Sequence, residues 1–357
     1  MNLEVQTPAE WLSTVVKPPL ESVAQFKLSS NDTLVVCGGF EERSIGVLQN
    51  AAASGTSFNV LLILYEPFVA ENRASTIRDL CGRFDLRLEQ VAYDRENPTG
   101  FGAVLISHLL NREGRIYLDI SGMSRLLMVQ SLVALRNVPR QFADCFVAYA
   151  EAEHYPPTQA EAEAQLAKSD SDPSLSILFL SSGVFDVTVV PELSALAPLG
   201  EQTRLIAFPS LDAHQLTALR NELQPSRLSV IEGEPPSATN RWRRDIISKI
   251  NRLSQIPNIE SRITSTLSYE QTLDCLLCLY EENSLRERLI VSPTGSKMQT
   301  VAVGILRAIV KDVQIAYPTP LQFCSPANYT VGVGALHQLA LAPFSQASLF
   351  KEVATCA

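Results

Sequence analysis

An internal repeat constrains the fold of this 357-residue chain more than any single motif does. One apolar run ends in Glu66-Pro67 and is followed by Asn72-Arg73, and a second ends in Glu234-Pro235 and is followed by Asn240-Arg241. The two copies are 168 positions apart, and the spacing from Glu to Asn is six residues in each. Landmarks repeated in a fixed order predict two copies of one structural unit.

A second landmark follows in each copy, and it joins an apolar run to a turn of small residues that ends in a cation. The sequences are "DISGMSR" at 119–125 and "SPTGSK" at 292–297, and an apolar helical pattern follows each. We therefore predict an internal duplication, with an N-terminal domain at 1–200 and a C-terminal domain at 201–357. The polar segment at about 159–174 is predicted to be an exposed helix and loop or a linker.

Short β-branched runs alternate with helical patterns in both halves. Such alternation is typical of parallel strands joined by right-handed crossovers. The predicted fold class is α/β, with two tandem, diverged Rossmann-like domains and mainly parallel sheets. Ligands of open α/β sheets bind beyond the carboxyl ends of the strands, so the residues that directly follow strands are the candidates for a site.

The first strand ends in Gly38-Gly39, and charged residues follow. Glycine lets the backbone approach a ligand closely or adopt positive φ. Glu41 is predicted to contact a ligand group such as a ribose hydroxyl, although acids at a helix start also suit the helix dipole. Arg43 either binds an anion or pairs with a neighbouring acid, and the sequence leaves both alternatives open.

The turns that end in a cation carry the parts of an anion site. Unpaired N–H groups and the helix dipole attract anions to such positions, and hydroxyls and cations strengthen the attraction. The candidate ligand-binding residues here are Ser124, Arg125, Thr294, Gly295, Ser296 and Lys297. Helix capping and packing explain the same residues without a ligand, and this alternative stays open.

Arg73 and Arg241 form a further repeated pair of cations. Each directly follows an Asn that is a good helix N-cap, so each falls in a first helical turn. The dipole disfavours a cation there. Its presence in both copies indicates contact with a ligand or an interface.

The turn "SPTGSKM" resembles a motif of the CRISPR-associated Rossmann-fold sensor domains of bacterial antiphage systems, and "DISGMSR" resembles it more loosely. In those families a strand leads to a Thr-Gly-Gly-Thr-Lys-like turn and an apolar helix. The match covers about seven residues in each half. The resemblance implies paired domains that form one pocket for a cyclic oligonucleotide, and a sensor that acts with an effector or partner protein.

Composition narrows the classes of partner. A net charge of −9 and a pI of about 5.1 argue against a broad cationic face for duplex nucleic acid. The apolar runs are shorter than the ~20 residues that span a bilayer, and the N-terminus does not have the pattern of a signal peptide. We therefore predict a cytoplasmic protein. No motif for a metal or a cofactor is present, and we predict neither.

Three functions are compatible with these features. The leading expectation is a sensor or regulatory component that binds a nucleotide-like anionic ligand in the cleft between the two domains. The alternative is an enzyme that hydrolyses a nucleotide or cleaves its glycosidic bond, with Glu41 or Asp119 as catalytic carboxylate. The third is a protein-interaction scaffold with vestigial pockets.

Overall fold

A computed structural model describes residues 6–68, 72–137, 142–171, 181, 183–195, 202–321 and 329–345. The chain forms two compact units, Met1–Tyr155 with Tyr329–Ala357 and Pro156–Asn328. This division differs from the predicted domains at 1–200 and 201–357. The reason is strand pairing, because a strand near the C-terminus joins the first sheet and the polar segment belongs to the second unit.

The first unit contains a seven-stranded sheet. Its elements in chain order are α1 (Pro8–Thr14), β1 (Glu21–Ser22), β2 (Thr33–Cys37), α2 (Gly46–Ala52), β3 (Asn59–Glu66), α3 (Ala74–Arg83), β4 (Arg87–Asp94), α4 (Phe101–Leu109), β5 (Ile116–Asp119), α5 (Arg125–Arg136) and β6 (Cys145–Ala150). The strand order is β1-β14-β6-β5-β2-β3-β4, where β14 is Leu336–Ala340. Strands β2 to β6 are parallel, and β14 runs antiparallel to β6.

The second unit contains a five-stranded parallel sheet of order β10-β9-β8-β11-β12 and a two-stranded antiparallel ribbon of β7 and β13. Its elements are α6 (Gln159–Ser171), β7 (Val184–Thr188), β8 (Gln202–Ala207), α7 (Ala213–Leu223), β9 (Arg227–Glu234), α8 (Trp242–Ile250), β10 (Glu260–Ser265), α9 (Tyr269–Asn283), β11 (Glu287–Ser292), α10 (Lys297–Ile309), β12 (Gln314–Ile315) and β13 (Tyr317–Pro320).

Central strands form because their apolar runs are buried on both faces, as parallel sheets require. All five residues of β2 are buried, and so are the four of β5. Helix α5 is buried along almost its whole length, and α10 is buried throughout. A short edge strand such as β1 is exposed. The α/β architecture with mainly parallel sheets is therefore as predicted.

The parallel strands of the two sheets follow the same order. Numbered within each unit, β2 to β6 and β8 to β12 both run 3-2-1-4-5 across the sheet. A shared order is what a duplication would produce, and the duplication itself stays a prediction.

The polar segment is helical over Gln159–Ser171, and 172–174 lie outside the described residues. Ala162 of α6 is fully buried and packs with Ile246 and Ile250 of α8. The segment is therefore a packed helix of the second unit over its described part. Within the described ranges, no helix has the length and apolar character needed to cross a bilayer.

Candidate functional site

Both sheets place their loops at a topological switch point. In the order 3-2-1-4-5 the connections reverse direction between the first and the fourth strand, and the carboxyl ends of these two strands flank the usual ligand crevice. The strands concerned are β2 and β5 in the first unit and β8 and β11 in the second. Most of the residues predicted from sequence lie at these ends.

Backbone contact closes the crevice of the first unit. A Cβ atom on Gly39 would lie 3.2 Å from the Cα of Gly122, and one on Gly122 would lie 2.3 Å from the carbonyl oxygen of Cys37. Gly38 packs in the same way against Ala74, at 3.3 Å. Gly39 therefore allows the loops after β2 and β5 to contact each other, and Gly38 allows the start of α3 to approach. Contact of the glycine pair with a ligand stays a prediction.

Tyr65 supports the turn after β5. Its hydroxyl accepts a hydrogen bond from the backbone N–H of Ser124, and burial raises the pKa of Tyr65 well above its ordinary value. The Ser124 hydroxyl accepts from the N–H of Leu127 at 3.3 Å and so caps α5. Arg125 follows as the first residue of α5 and is half-buried. The capping alternative for Ser124 is therefore confirmed.

Glu41 and Arg43 form a buried ion pair. The Arg43 guanidinium lies 3.1 Å from Glu41 Oε2, and their side chains are only 8% and 15% exposed. Arg43 also donates to the hydroxyl of Tyr149 at 3.1 Å, and Thr330 donates to Glu41 Oε1 at 2.7 Å. Burial alone would lower the pKa of Arg43, but the adjacent carboxylate raises it above its ordinary value. Of the two alternatives for Arg43, the structure shows the pair with an acid.

Asp119, the other candidate catalytic carboxylate, is buried at the end of β5. Its Oδ1 accepts a hydrogen bond from the backbone N–H of Ser121 at 2.9 Å. The Ser121 hydroxyl in turn accepts from the N–H of Ala150 at 2.8 Å. Asp119 therefore shapes the turn between β5 and α5.

A side chain closes the crevice of the second unit. The Thr294 hydroxyl donates to the carbonyl oxygen of Phe208 at 2.8 Å and accepts from its N–H at 3.3 Å. A Cβ atom on Gly295 would lie 3.0 Å from the Phe208 ring and 2.5 Å from Gln299 Oε1. Thr294 and Gly295 therefore join the turn after β11 to the residue that follows β8.

Ser296 begins α10 with a complete capping box. Its hydroxyl accepts from the N–H of Gln299 at 3.1 Å, and Gln299 Oε1 accepts from the N–H of Ser296 at 2.9 Å. The Ser296 hydroxyl also donates to the carbonyl oxygen of Thr266 at 2.6 Å. Lys297 follows in the first turn and is only 9% exposed. Capping is confirmed here too, while an anion at these cations stays a prediction.

An open cleft lies one strand further out on the second sheet. It has a volume of about 220 Å³ and opens where β9 and β10 end. Its lining consists of Glu234, Pro235, Pro236, Arg241, Ile263, Thr264, Ser265 and Gln271. Gln299 donates to the Thr264 hydroxyl at 3.1 Å, so the wall of the cleft is linked directly to the start of α10.

Charged groups stand at the mouth of this cleft. Glu234 ends β9, and Arg241 directly precedes α8. Arg241 Nε lies 3.8 Å from Glu234 Oε1, and a guanidinium nitrogen of Arg244 lies 3.6 Å from the same oxygen. Both separations are longer than a hydrogen bond. The Arg241 and Glu234 side chains are 66% and 37% exposed, so solvent or a solute can reach the pair.

Of the residues that line the cleft, Arg241 was indicated by the sequence as a contact with a ligand or an interface, and the others were not. The signal was present, because Glu234-Pro235 and Asn240-Arg241 are the repeated landmarks. Arg241 was predicted to lie in a first helical turn after an Asn cap, but the structure makes Arg241 itself the residue before the helix, which begins at Trp242. The sequence did not indicate the part of the lining formed by Ile263 to Ser265, because no motif marks the end of β10.

Comparisons with known proteins do not assign the chain to a family. No family model matches it, and no curated protein is significantly similar. Among solved structures, the cytoplasmic domain of a prokaryotic cation chloride cotransporter aligns with 12% identity and a TM-score of 0.25, over 81% of this chain and 95% of that one. A protein of unknown function from Pseudomonas aeruginosa PAO1 aligns with 9% identity and a TM-score of 0.23, over 81% and 92%. Phosphoethanolamine N-methyltransferase 1 of Haemonchus contortus gives 8% and 0.22, over 87% and 77%. At such TM-scores these likenesses carry no argument about function.

Proposed function

We propose that the protein binds a nucleotide-like anionic ligand at the cleft of its second unit, at the carboxyl ends of β9 and β10. The observation that carries this proposal is the exposed Arg241 guanidinium beside Glu234 at the mouth of the cleft. Guanidinium groups bind phosphate with paired hydrogen bonds, and clefts beyond strand ends are where such sheets bind ligands.

The chemistry of the lining supports a nucleotide rather than a simple anion. Pro235, Pro236 and Ile263 supply apolar surface against which a base or a sugar can pack, and Ile263 is 53% exposed. Ser265 and Gln271 supply polar groups on the same wall. The cleft therefore combines a smaller apolar surface with polar side chains and two charged groups, Glu234 and Arg241, which suits a ligand that carries both hydroxyls and an anion.

The position of the acid gives further support. Glu234 is the last residue of the second strand in a sheet of order 3-2-1-4-5. In Rossmann-type sheets an acid in this region accepts hydrogen bonds from ribose hydroxyls. Glu234 therefore takes the hydroxyl-binding role that the sequence assigned to Glu41, because Glu41 is occupied by Arg43 and Thr330.

We propose the role of a cytoplasmic sensor or regulatory component in antiphage defence, which is supported by the motif that "SPTGSKM" resembles. Ligand binding is linked to the rest of the unit through Thr264, Gln299 and the start of α10, the helix that carries Lys297. A partner or effector protein then reads the bound state.

The test is retention of a nucleotide by the purified protein after spin filtration, detected by mass spectrometry across a panel that includes cyclic oligonucleotides and NAD. We expect a species retained unchanged by the wild type and by Arg286→Ala, an exposed arginine of the same unit outside the cleft. Arg241→Ala should lose it.

Two results would contradict the proposal. If no species is retained, the protein does not bind a nucleotide of the panel, and the result favours the protein-interaction scaffold. If Arg241→Ala retains the species and a folded Lys297→Ala protein loses it, the ligand lies at the turn before α10 and not in the cleft.

A further inference from the structure

The charged groups at the mouth of the cleft have a spacing that selects among nucleotides, an inference that rests on the proposed function. Glu234 offers a carboxylate, an acceptor, and Arg241 offers a guanidinium, a donor, 3.8 Å away. Arg244 adds a second guanidinium 3.6 Å from the same carboxylate oxygen. A ligand that engages both kinds of group must carry a hydroxyl and an anion side by side.

We infer that the cleft takes a ribonucleotide whose phosphate is on the 3′ carbon, next to a free 2′ hydroxyl. On adjacent carbons the hydroxyl oxygen and the phosphate lie next to each other, so the hydroxyl donates to Glu234 while the phosphate accepts from Arg241 and Arg244. In a 5′ nucleotide the hydroxyl nearest to the phosphate is the 3′ hydroxyl, and one further carbon separates the two, so they do not lie side by side as a 2′ hydroxyl and a 3′ phosphate do.

Glu234 also acts against the wrong ligands. A carboxylate next to the phosphate position repels any anion that brings no hydroxyl to donate to it, and repulsion of this kind is how binding sites exclude near relatives. A 2′-deoxynucleotide loses the hydrogen bond and keeps the repulsion. The 2′ hydroxyl is the group by which proteins distinguish RNA from DNA, and Glu234 is the residue placed to read it.

The apolar wall sets the third contact. With the sugar at Glu234 and Arg241, the base falls towards Pro235, Pro236 and Ile263, which present apolar surface and no charge. Packing there discriminates weakly between bases, because every base has an apolar face. The cleft is therefore expected to select on the sugar and phosphate more strongly than on the base.

The experiment is isothermal titration calorimetry of the full chain with adenosine 3′-monophosphate, adenosine 5′-monophosphate and 2′-deoxyadenosine 3′-monophosphate. The variants are Glu234→Gln and Arg241→Ala. The charge-matched controls are Glu222→Gln and Arg286→Ala, which change exposed residues of the same unit. We expect the wild type and both controls to prefer the 3′ ribonucleotide over the other two compounds by about tenfold or more, the effect of one hydrogen bond to a charged group.

The variants separate this inference from the proposed function. Glu234→Gln should bind the deoxy compound nearly as well as the ribonucleotide, because the repulsion is removed, and Arg241→Ala should weaken all three by about tenfold. The inference is wrong and the proposed function stands in two cases. In the first, nucleotides bind but the 5′ and 3′ compounds have equal affinity. In the second, Glu234→Gln still prefers the ribonucleotide over the deoxy compound as the wild type does. If Arg241→Ala binds all compounds like the wild type, both are wrong. If none of the three compounds binds the wild type, the inference is wrong, and the proposed function is also wrong if no species of the nucleotide panel is retained.

Discussion

The molecule contains two strand-end ion pairs of the same chemical type in opposite states. In the first unit, Arg43 lies 3.1 Å from Glu41, and both side chains are nearly buried. In the second, Arg241 lies 3.8 Å from Glu234, and both are exposed. A buried, hydrogen-bonded pair is committed to the fold, whereas an open pair at a cleft can exchange its partner for a ligand.

The difference arises from what surrounds each pair rather than from the strand order, which is the same in both sheets. Tyr149 and Thr330 complete the hydrogen bonding of Arg43 and Glu41. Around Glu234 and Arg241 the separations are longer than a hydrogen bond, 3.8 Å within the pair and 3.6 Å from Arg244 to Glu234. A shared fold therefore does not imply a shared site.

The largest expected effect comes from breaking the closed pair. Glu41→Ala leaves the Arg43 guanidinium buried without its carboxylate, and we expect the free energy of unfolding to fall by about 3 kcal/mol. Glu234→Ala, the matched change at the open pair, should cost less than about 0.5 kcal/mol. Urea unfolding followed by circular dichroism measures both. Equal losses of unfolding free energy in the two variants would show that the two ion pairs contribute equally to the stability of the fold.

The closed crevices provide the next comparison. Gly122→Ala forces a methyl group against a backbone oxygen, so we expect a loss of about 2 kcal/mol. Gly295→Ala meets side-chain atoms that can shift, and a loss of about 1 kcal/mol is expected. Gly82→Ala in α3 meets nothing within 4 Å and should stabilise by roughly 0.5 kcal/mol. Thermal unfolding measures the order of the three stability changes. If Gly122→Ala leaves the melting temperature unchanged, the crevice of the first unit is open in solution.

Thr294→Val tests the side chain that closes the second crevice. Valine has a similar volume but cannot donate to or accept from the backbone of Phe208, whose N–H and C=O are buried. The expected cost is about 1.5 kcal/mol. Thr330→Val removes one hydrogen bond to Glu41 and should cost about 1 kcal/mol. If Thr294→Val leaves the melting temperature unchanged, the hydroxyl does not hold the turn.

A smaller effect is expected at Asp32, which directly precedes the internal strand β2 at the amino ends of the parallel strands. Burial raises the pKa of Asp32, but the N–H of Ser29 and the guanidinium of Arg115 outweigh it and hold the pKa below its ordinary 3.8. Its contribution to stability is therefore present above pH 3.8 and is lost as the pH falls through the lowered pKa. Asp32→Asn should remove this part of the pH dependence below pH 3.8, measured by unfolding at a series of pH values. An unchanged acid profile in Asp32→Asn would contradict the assignment.

The α/β architecture was predictable because it rests on local patterns. Apolar runs such as β2 and β11 followed by small residues and a helical pattern are visible within about thirty residues, the length of one strand-helix-strand unit. Helix starts at Ser124 and Ser296 were predictable for the same reason, since a cap acts within four residues. Both predictions depend on neighbours in sequence.

The domain boundary and the state of the site were not predictable, because they depend on distant residues. The first unit is completed by β14, which pairs with β6, and the sequence does not mark that pairing. Glu41 is held by Thr330, 289 residues away. A carboxylate free to bind a hydroxyl and one that is already paired have the same local sequence, so the sequence indicated Glu41 and not Glu234.

An anionic nucleotide is expected to bind at the open pair of Glu234 and Arg241 and not at the closed crevices. The most direct measurement is a crystal structure of the protein soaked with adenosine 3′-monophosphate. We expect phosphate density within hydrogen-bond distance of Arg241 and a sugar hydroxyl at Glu234. Phosphate density at Lys297 or Arg125, with the cleft empty, would contradict it.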